Sequence, residues 1–295
     1  MAVLPIEEQV VVVEGRRGLL WDLLRNRNFT IGATVFLAML LAALIGGLLV
    51  DPAEKLSGSF PPRQPPLQDT LLGTTSLGQS IAIQLTEAIP NSILVGLIAA
   101  TVGTALGALI GFTSGYFGGW VDAVLRMLID VFLSVPSLLF LILIAALVRS
   151  VNVVTLAIII GAFAWPSPAR QVRAQVLSLK ERGFVQVAVI SGMSGMEIVV
   201  RELIPHMAQW LGANFVNAFI AAVLAESGLS ILGLGPQRQM TLGMMIYWAL
   251  SYSAIFQNLW WWWLAPVLSL MVLFIALYLV HIGLDEVSNP RLRIT

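Results

Sequence analysis

The sequence predicts an all-α protein, a polytopic transmembrane helical bundle of about six spans. Three observations predict it. Of 295 residues, 58% are apolar and 11% charged, against about a quarter charged in soluble domains. Mean hydropathy is +0.89. Apolar stretches near spanning length, about 20 residues, recur along the chain. A soluble enzyme and a disordered chain are excluded by the same balance. Lys+Arg and Asp+Glu are 16 each, so no basic field exists for nucleic acid. Cysteine is absent and histidine occurs twice, which leaves no metal-ligating set.

The elements follow in order. Residues 1–29 hold Arg16, Arg17, Arg25 and Arg27 and read as a cytoplasmic tail, without a cleavage site before the first span at 30–50. Residues 51–88 contain Pro52, Pro61, Pro62, Pro65 and Pro66, which suits an extended extracytoplasmic connector. The core, 89–285, carries spans at 91–112, 124–148, 153–169, 210–232 and 259–284, and 286–295 form a C-terminal tail. Because lipid cannot satisfy backbone groups, these stretches must be helices. Strands alternating between lipid and a polar lumen do not occur. With the N-terminus inside, twelve of the sixteen Lys and Arg fall on inner segments, placing both termini in the cytoplasm of a cell-membrane protein.

Particular residues have two readings. Gly96, Thr101, Gly103, Gly107 and Gly111 form a small-residue pattern for close helix packing. Asp122, Arg126 and Asp130, spaced i,i+4,i+8, read as an ion-pair ladder along one helix or as a gate. Pro136 and Pro266 imply kinks. Asn214 and Asn217 could line a solute route or pair with a neighbouring helix. Glu226, a costly carboxylate inside a span, is a pathway residue or a structural hydrogen-bond acceptor. Trp260 to Trp263 read as an interfacial anchor, and His206 as an interfacial histidine.

The inner loop 170–208 is long and charged. It reads as a helical extension of the fourth span, then two short helical pieces broken at Gly192 and Gly195. Ser194 can cap the second piece, and Glu197 and Arg201 stand at i,i+4. Met196, Val199, Val200 and Leu203 make one apolar face, and Pro205 discourages continuation into the fifth span. No phosphate-loop glycine-lysine motif is present, and the only lysines are Lys55 and Lys180. Neither a nucleophile elbow nor a zinc-binding His-Glu-x-x-His occurs. The chain is therefore expected to be no enzyme and to bind no cofactor of its own.

Gln186-Val187-Ala188, Gly192 and Leu203-Ile204-Pro205 resemble the signature of permease subunits of ATP-binding-cassette importers, with glutamine in the place of the usual glutamate. Leu72-Gly73-Thr74, Gly115-Tyr116-Phe117-Gly118-Gly119, the run Glu226 to Gly235, and Asn289-Pro290-Arg291-Leu292-Arg293 narrow the likeness to the C-type permease of the dipeptide, oligopeptide and nickel branch. The resemblance covers about residues 20–293 in order. It implies a type I importer permease fold and alternating access for di- and oligopeptides. Nickel, glutathione or an oligosaccharide is the alternative cargo. An ion-coupled secondary transporter or a non-transporting scaffold is the alternative of another class; the coupling motif and the lack of a clear inverted repeat or broken-helix pair stand against the former.

The implied partners are a B-type permease, two ATP-binding subunits that hold ATP and Mg, an extracytoplasmic solute-binding protein, the peptide and the bilayer. The residues assigned by resemblance to ATPase coupling are Phe184, Gln186, Ala188, Gly192, Met193, Ser194, Gly195, Glu197, Arg201, Leu203 and Pro205. A tryptophan at Gly192 is expected to abolish coupling by blocking the bend there.

Overall fold

The computed structural model describes residues 19–148 and 151–288. The tail residues Arg16, Arg17 and the 289–293 motif lie outside them. Among the described residues there is no strand, only an isolated bridge between Thr74 and Ser80. A short helix α1 (Leu19–Arg25) leads into α2 (Arg27–Leu49). Asn26 caps α2, accepting from the Phe29 amide at 2.9 Å. Turns and one 3-10 turn follow, and then α3 (Ile81–Phe117), a 37-residue helix. At 1.5 Å per residue it is about 55 Å long, well beyond the hydrocarbon core of about 30 Å, so its ends project.

Two expected spans are broken. The third is α4 (Gly119–Ser134) and α5 (Ser137–Leu147), bent by 77°. Pro136 sits at the break; it forces Val135 into extended backbone (ψ 132°), as expected for the residue before a proline. The fourth is α6 (Val153–Ala164) and α7 (Pro166–Lys180), bent by 41°. Pro166 opens α7, where its missing amide hydrogen is of no consequence. The absence of broken helices, expected from sequence, is thus overturned. By contrast α12 (Trp260–Ser288) runs through Pro266 as one helix.

The loop 170–208 also needs correction at its far end. Helix α8 (Gly183–Ile190) is a separate short piece. The second piece, α9 (Gly195–Ile198), is not separate: it continues through a π turn, Val199–Leu203, into α10 (Ile204–Ile231). The fifth span therefore starts at Gly195 and is 37 residues long. The Ile204 amide donates to the Val199 carbonyl. This wider turn gives the Pro205 ring room where an α-turn would clash. A last short helix, α11 (Leu242–Ser251), precedes α12.

Helix α3 is the centre of the bundle. Gly103, Gly107, Gly111 and Gly115 recur every four residues on the face toward α6 and α7. A β-carbon at Gly107 would stand 2.6 Å from the Pro168 β-carbon and 2.8 Å from the Trp165 carbonyl oxygen. At Gly111 it would meet Val172 and at Gly115 Val176. Gly96 is closed instead by Phe219 and Val223 of α10. Thr101 is not part of the row: its hydroxyl donates to the Leu97 carbonyl on an exposed face.

The charged ladder is a clamp between helices. Arg173 of α7 donates Nε and Nη2 to the two carboxylate oxygens of Asp122 at 2.6 and 2.7 Å, and Ser114 donates to the same carboxylate. Arg170 holds Asp130 at 2.8 Å. Only Arg126 and Asp130 pair along α4, at 3.7 Å and exposed. A bidentate, half-buried guanidinium–carboxylate pair outweighs an exposed i,i+4 contact.

The residues after α2 are not a free connector. Thr74 and Thr75 are fully buried, and the Trp261 indole donates to the Thr74 carbonyl at 3.2 Å. Trp262 is buried against the Tyr252 ring. Of the four tryptophans, Trp260 is half exposed and free to act as an anchor.

A methyl at Gly107 must push the α6–α7 pair off α3. Gly107→Ala should cost about 1–3 kcal/mol, the range for overpacking. Gly228→Ala, where a β-carbon meets open space, should be neutral or stabilising by up to about 1 kcal/mol. Unfolding of the two variants in lipid–detergent mixtures checks the contrast.

Candidate functional site

Two places in the fold could do work. The first is a cavity of about 530 Å³. It opens where α4 gives way to α5 and α6 to α7, with α10 as its third wall. Its described lining carries no charged side chain; the polar groups are Ser137, Ser167, Gln171, Asn214 and Asn217. Asn214 donates Nδ2 to Gln171 Oε1 at 2.9 Å, and Gln171 donates Nε2 to Ser167 at 3.2 Å. Asn217 faces His281 of α12 at 3.3 Å.

Of the three residues singled out in the fifth span, the structure brings Asn214 and Asn217 to this cavity and leaves Glu226 elsewhere. Glu226 is fully buried. Its Oε1 accepts from the Ser230 and Thr241 hydroxyls, each at 2.6 Å. Thr241 also caps α11, accepting from the Met244 amide at 3.1 Å, and Ser92 of α3 accepts from the Leu242 amide at 2.9 Å. The carboxylate therefore ties the start of α11 to α10. Gln171 and Ser167 were missed by sequence reasoning, which put Ser167 at the end of the fourth span and Gln171 at the start of an inner loop. The prolines at 166 and 168 were the available signal, since a broken helix at membrane depth lines a cavity.

The second place is α8 and the turn after it. The C-terminal end of α3 stands beside both: Lys180 donates to the Tyr116 carbonyl at 2.7 Å, and a β-carbon at Gly195 would touch the Tyr116 ring. Val185 and Ala188 point inward, joining Phe112, Val176, Ile198 and Leu203 in one core. Val187, Val189 and Ile190 point out, Ile190 at 85% exposure. The ring of Phe184 stacks on His206 at 4.2 Å and 9°, which fixes α8 to the start of α10. Gln186 is exposed and donates to the Glu181 carbonyl at 3.4 Å.

After α8 the chain reverses over Ser191 to Ser194. Gly192 has φ +81°, where only glycine is unstrained. Its β-carbon direction is open within this chain, so a side chain there first costs backbone strain, about 1–2 kcal/mol. Met193 is half-buried. Ser194 and Glu197 form a reciprocal capping box, and Glu197 pairs with Arg201 at 3.0 Å. The expected apolar face is redrawn: Ile198, Val199 and Leu203 are buried, whereas Met196 and Val200 are exposed. Pro205 is exposed at the start of α10.

Comparison with known proteins agrees with this architecture. The family described as binding-protein-dependent transport system inner membrane component matches residues 103–294. The oligopeptide transport system permease protein OppC of Mycobacterium tuberculosis is 33% identical over 232 residues, 78% of this chain and 79% of that protein. A putative peptide transport system permease protein of Brucella suis is 29% identical over 290 residues, 98% of this chain and 95% of its own length. The dipeptide transport system permease protein DppC of Alkalihalophilus pseudofirmus is 27% identical, covering 98% of this chain and 94% of that protein.

Glu226→Ala should leave the Ser230 and Thr241 hydroxyls buried without an acceptor, at about 1–3 kcal/mol for an unpaired buried group. Glu226→Gln keeps one acceptor and should lose less. Protease accessibility of the α10–α11 turn, compared across both variants, checks the order.

Proposed function

The chain belongs to the family of binding-protein-dependent transport system inner membrane components, as an importer permease of the OppC and DppC type, and from that premise we propose that it passes short peptides into the cell. In this reading it forms half of a channel with a B-type permease. An extracytoplasmic binding protein delivers the peptide, and two ATP-binding subunits supply the free energy. Both termini and α8 face the cytoplasm, as the placement of arginines and lysines argues. The peptide cargo rests on the printed names of the three relatives.

One observation carries the coupling mechanism: a single continuous helix joins the two candidate places. From Gly195, beside α8, to Asn214 in the cavity wall is about 28 Å of unbroken helix. Helix α7 makes a second such connection, running from the cavity at Gln171 to the core beneath α8 at Val176. An ATP-binding subunit that grips α8 therefore holds both α7 and α10 by a packed base. Close-packed interiors shift as bodies rather than deform continuously. Closure of two such subunits draws α8 and the corresponding segment of the partner permease together, and α7 and α10 carry that displacement to the cavity, exposing it first to one side and then to the other.

The exposed apolar residues of α8 supply the grip. Ile190→Asp and Val187→Asp should fold normally, because neither side chain packs in the bundle, yet lose recovery of ATP-binding subunits. The measurement is mild-detergent purification of the chain with mass spectrometry of what accompanies it, beside uptake of peptide. The wild-type chain should bring a second permease and two ATPase chains. Recovery of the wild-type chain alone, with uptake that follows an ion gradient and ignores ATP depletion, would sink the reading in favour of a secondary transporter.

A further inference from the structure

Among the side chains lining the cavity, Asn217 is held by an imidazole on a different helix. Ring atom Nδ1 of His281 lies 3.1 Å from the Ala213 carbonyl oxygen. Ring atom Nε2 lies 3.3 Å from Asn217 Nδ2. Ala213 and Asn217 are i,i+4 on α10, so one ring bridges one turn of the cavity wall. A backbone carbonyl only accepts, so Nδ1 must carry the hydrogen. In a neutral ring, Nε2 is then a bare acceptor, and the Asn217 atom facing it must be the amide nitrogen. The carbonyl oxygen of Asn217 is left for the cavity.

One group competes for Nε2. The Asp285 carboxylate, one turn along α12, approaches it at 3.3 Å. That contact gains strength only if Nε2 is protonated, which would turn the ring from acceptor to donor and reverse the Asn217 amide. The His281 side chain is 18% exposed and Asp285 42% exposed. The neutral ring is the state in which Nε2 can accept from the Asn217 amide.

We propose that His281 is a positioning residue of the solute route: by bridging the Ala213 carbonyl and the Asn217 amide, it fixes the Asn217 carbonyl oxygen toward the cavity as an acceptor for N–H groups of the solute. This rests on the reading of the cavity as that route. The chemistry it selects is that of hydrogen-bond donors, a peptide backbone N–H or an α-ammonium, and it disfavours a carboxylate at the same position. No formal charge is involved, so side chains of either sign pass.

The test uses the complete importer in lipid bilayers, labelled with ¹⁵N-histidine. The chain has two histidines, so His206→Asn assigns the permease signals, with label confined to this chain. At neutral pH, His281 should show a protonated Nδ1 and a bare Nε2, and the Nε2 resonance should move in Asn217→Ala. The opposite tautomer, an imidazolium, or an Nε2 signal indifferent to Asn217→Ala would overturn the proposal. In parallel, trialanine uptake is measured at saturating binding protein. His281→Leu should lower turnover about fivefold, the size of one lost hydrogen bond. His281→Gln, which can donate to Ala213 and accept from Asn217, should restore it. In an Asn217→Ala background, His281→Leu should cost nothing further; an additive loss would mean that the ring only braces α10 against α12, and the proposal fails. A wild-type importer that ignores trialanine would overturn the peptide reading instead, while the ¹⁵N spectrum still decides the hold of His281 on Asn217.

Discussion

The close approach of α3 to the bent α6–α7 pair along Gly103, Gly107, Gly111 and Gly115 is the contact on which the other arrangements depend. Between helices in lipid there is no hydrophobic gain to be had, because the acyl chains are as apolar as leucine. Association must come from dispersion over a large, close surface and from polar pairs. A glycine every fourth residue removes the side-chain ridge on one face of α3 and lets whole backbones touch; Gly161 of α6 answers from the other side, against Ala99. With α6 and α7 pressed on α3, their 41° bend borders the cavity, whose described lining holds no residue of α3. The same contact carries α7 onward to the base of α8. The Asp122–Arg173 pair then fixes α4 on α7, so the second bend, at Pro136, faces the first.

Much of this was legible because it is periodic. Hydropathy located the centres of the long apolar helices but not all their ends, and the small-residue pattern named the packing face of α3 down to Gly96, which meets α10 instead. Thr101 was misplaced since a small side chain that bonds its own backbone looks like a packing residue in a string of letters. The start of the fifth span was placed fifteen residues too late. Glu197, Arg201, Glu202 and Pro205 make that segment look like a loop to any measure of lipid affinity. Glu197, Arg201 and Pro205 are satisfied or tolerated locally, by a capping box, an i,i+4 ion pair and a π turn. Helix and membrane are different properties, and a helix that projects from the bilayer shows only the first.

Polar residues inside the spans exposed the complementary limit. The sequence marks Glu226 as costly and Asp122 as one rung of a ladder, but partners decide what they do, and for each a decisive partner is distant in sequence. Thr241 comes 15 positions after Glu226 and Arg173 51 after Asp122. The i,i+4 spacing of Asp122 and Arg126 offered a nearer partner, and the structure declined it, since Arg126 is exposed while Arg173 arrives half-buried with two parallel hydrogen bonds. The role of the asparagines was open for the same reason. Asn214 pairs with a neighbouring helix and lines the cavity at once, so the two readings were never exclusive.

On the proposed reading of the cavity as the solute route, the distribution of charge suits the passage of varied peptides. Asp122, Asp130, Arg170 and Arg173 all lie on the elements that wall the cavity, yet each charge is matched by a neighbour and none is among the lining side chains. What remains is amide and hydroxyl, each worth about 1 kcal/mol per hydrogen bond. A fixed charge in a partly dry cavity would bind an opposite charge far more tightly, and a site that holds its cargo too well cannot release it. A route that must pass sequences of differing side chains does better to recognise what all peptides share, the backbone and its termini, and to leave discrimination to a protein that binds before transport begins. Weak, uncharged, correctly oriented acceptors meet that requirement, and the orientation of a single amide becomes worth an imidazole on a neighbouring helix.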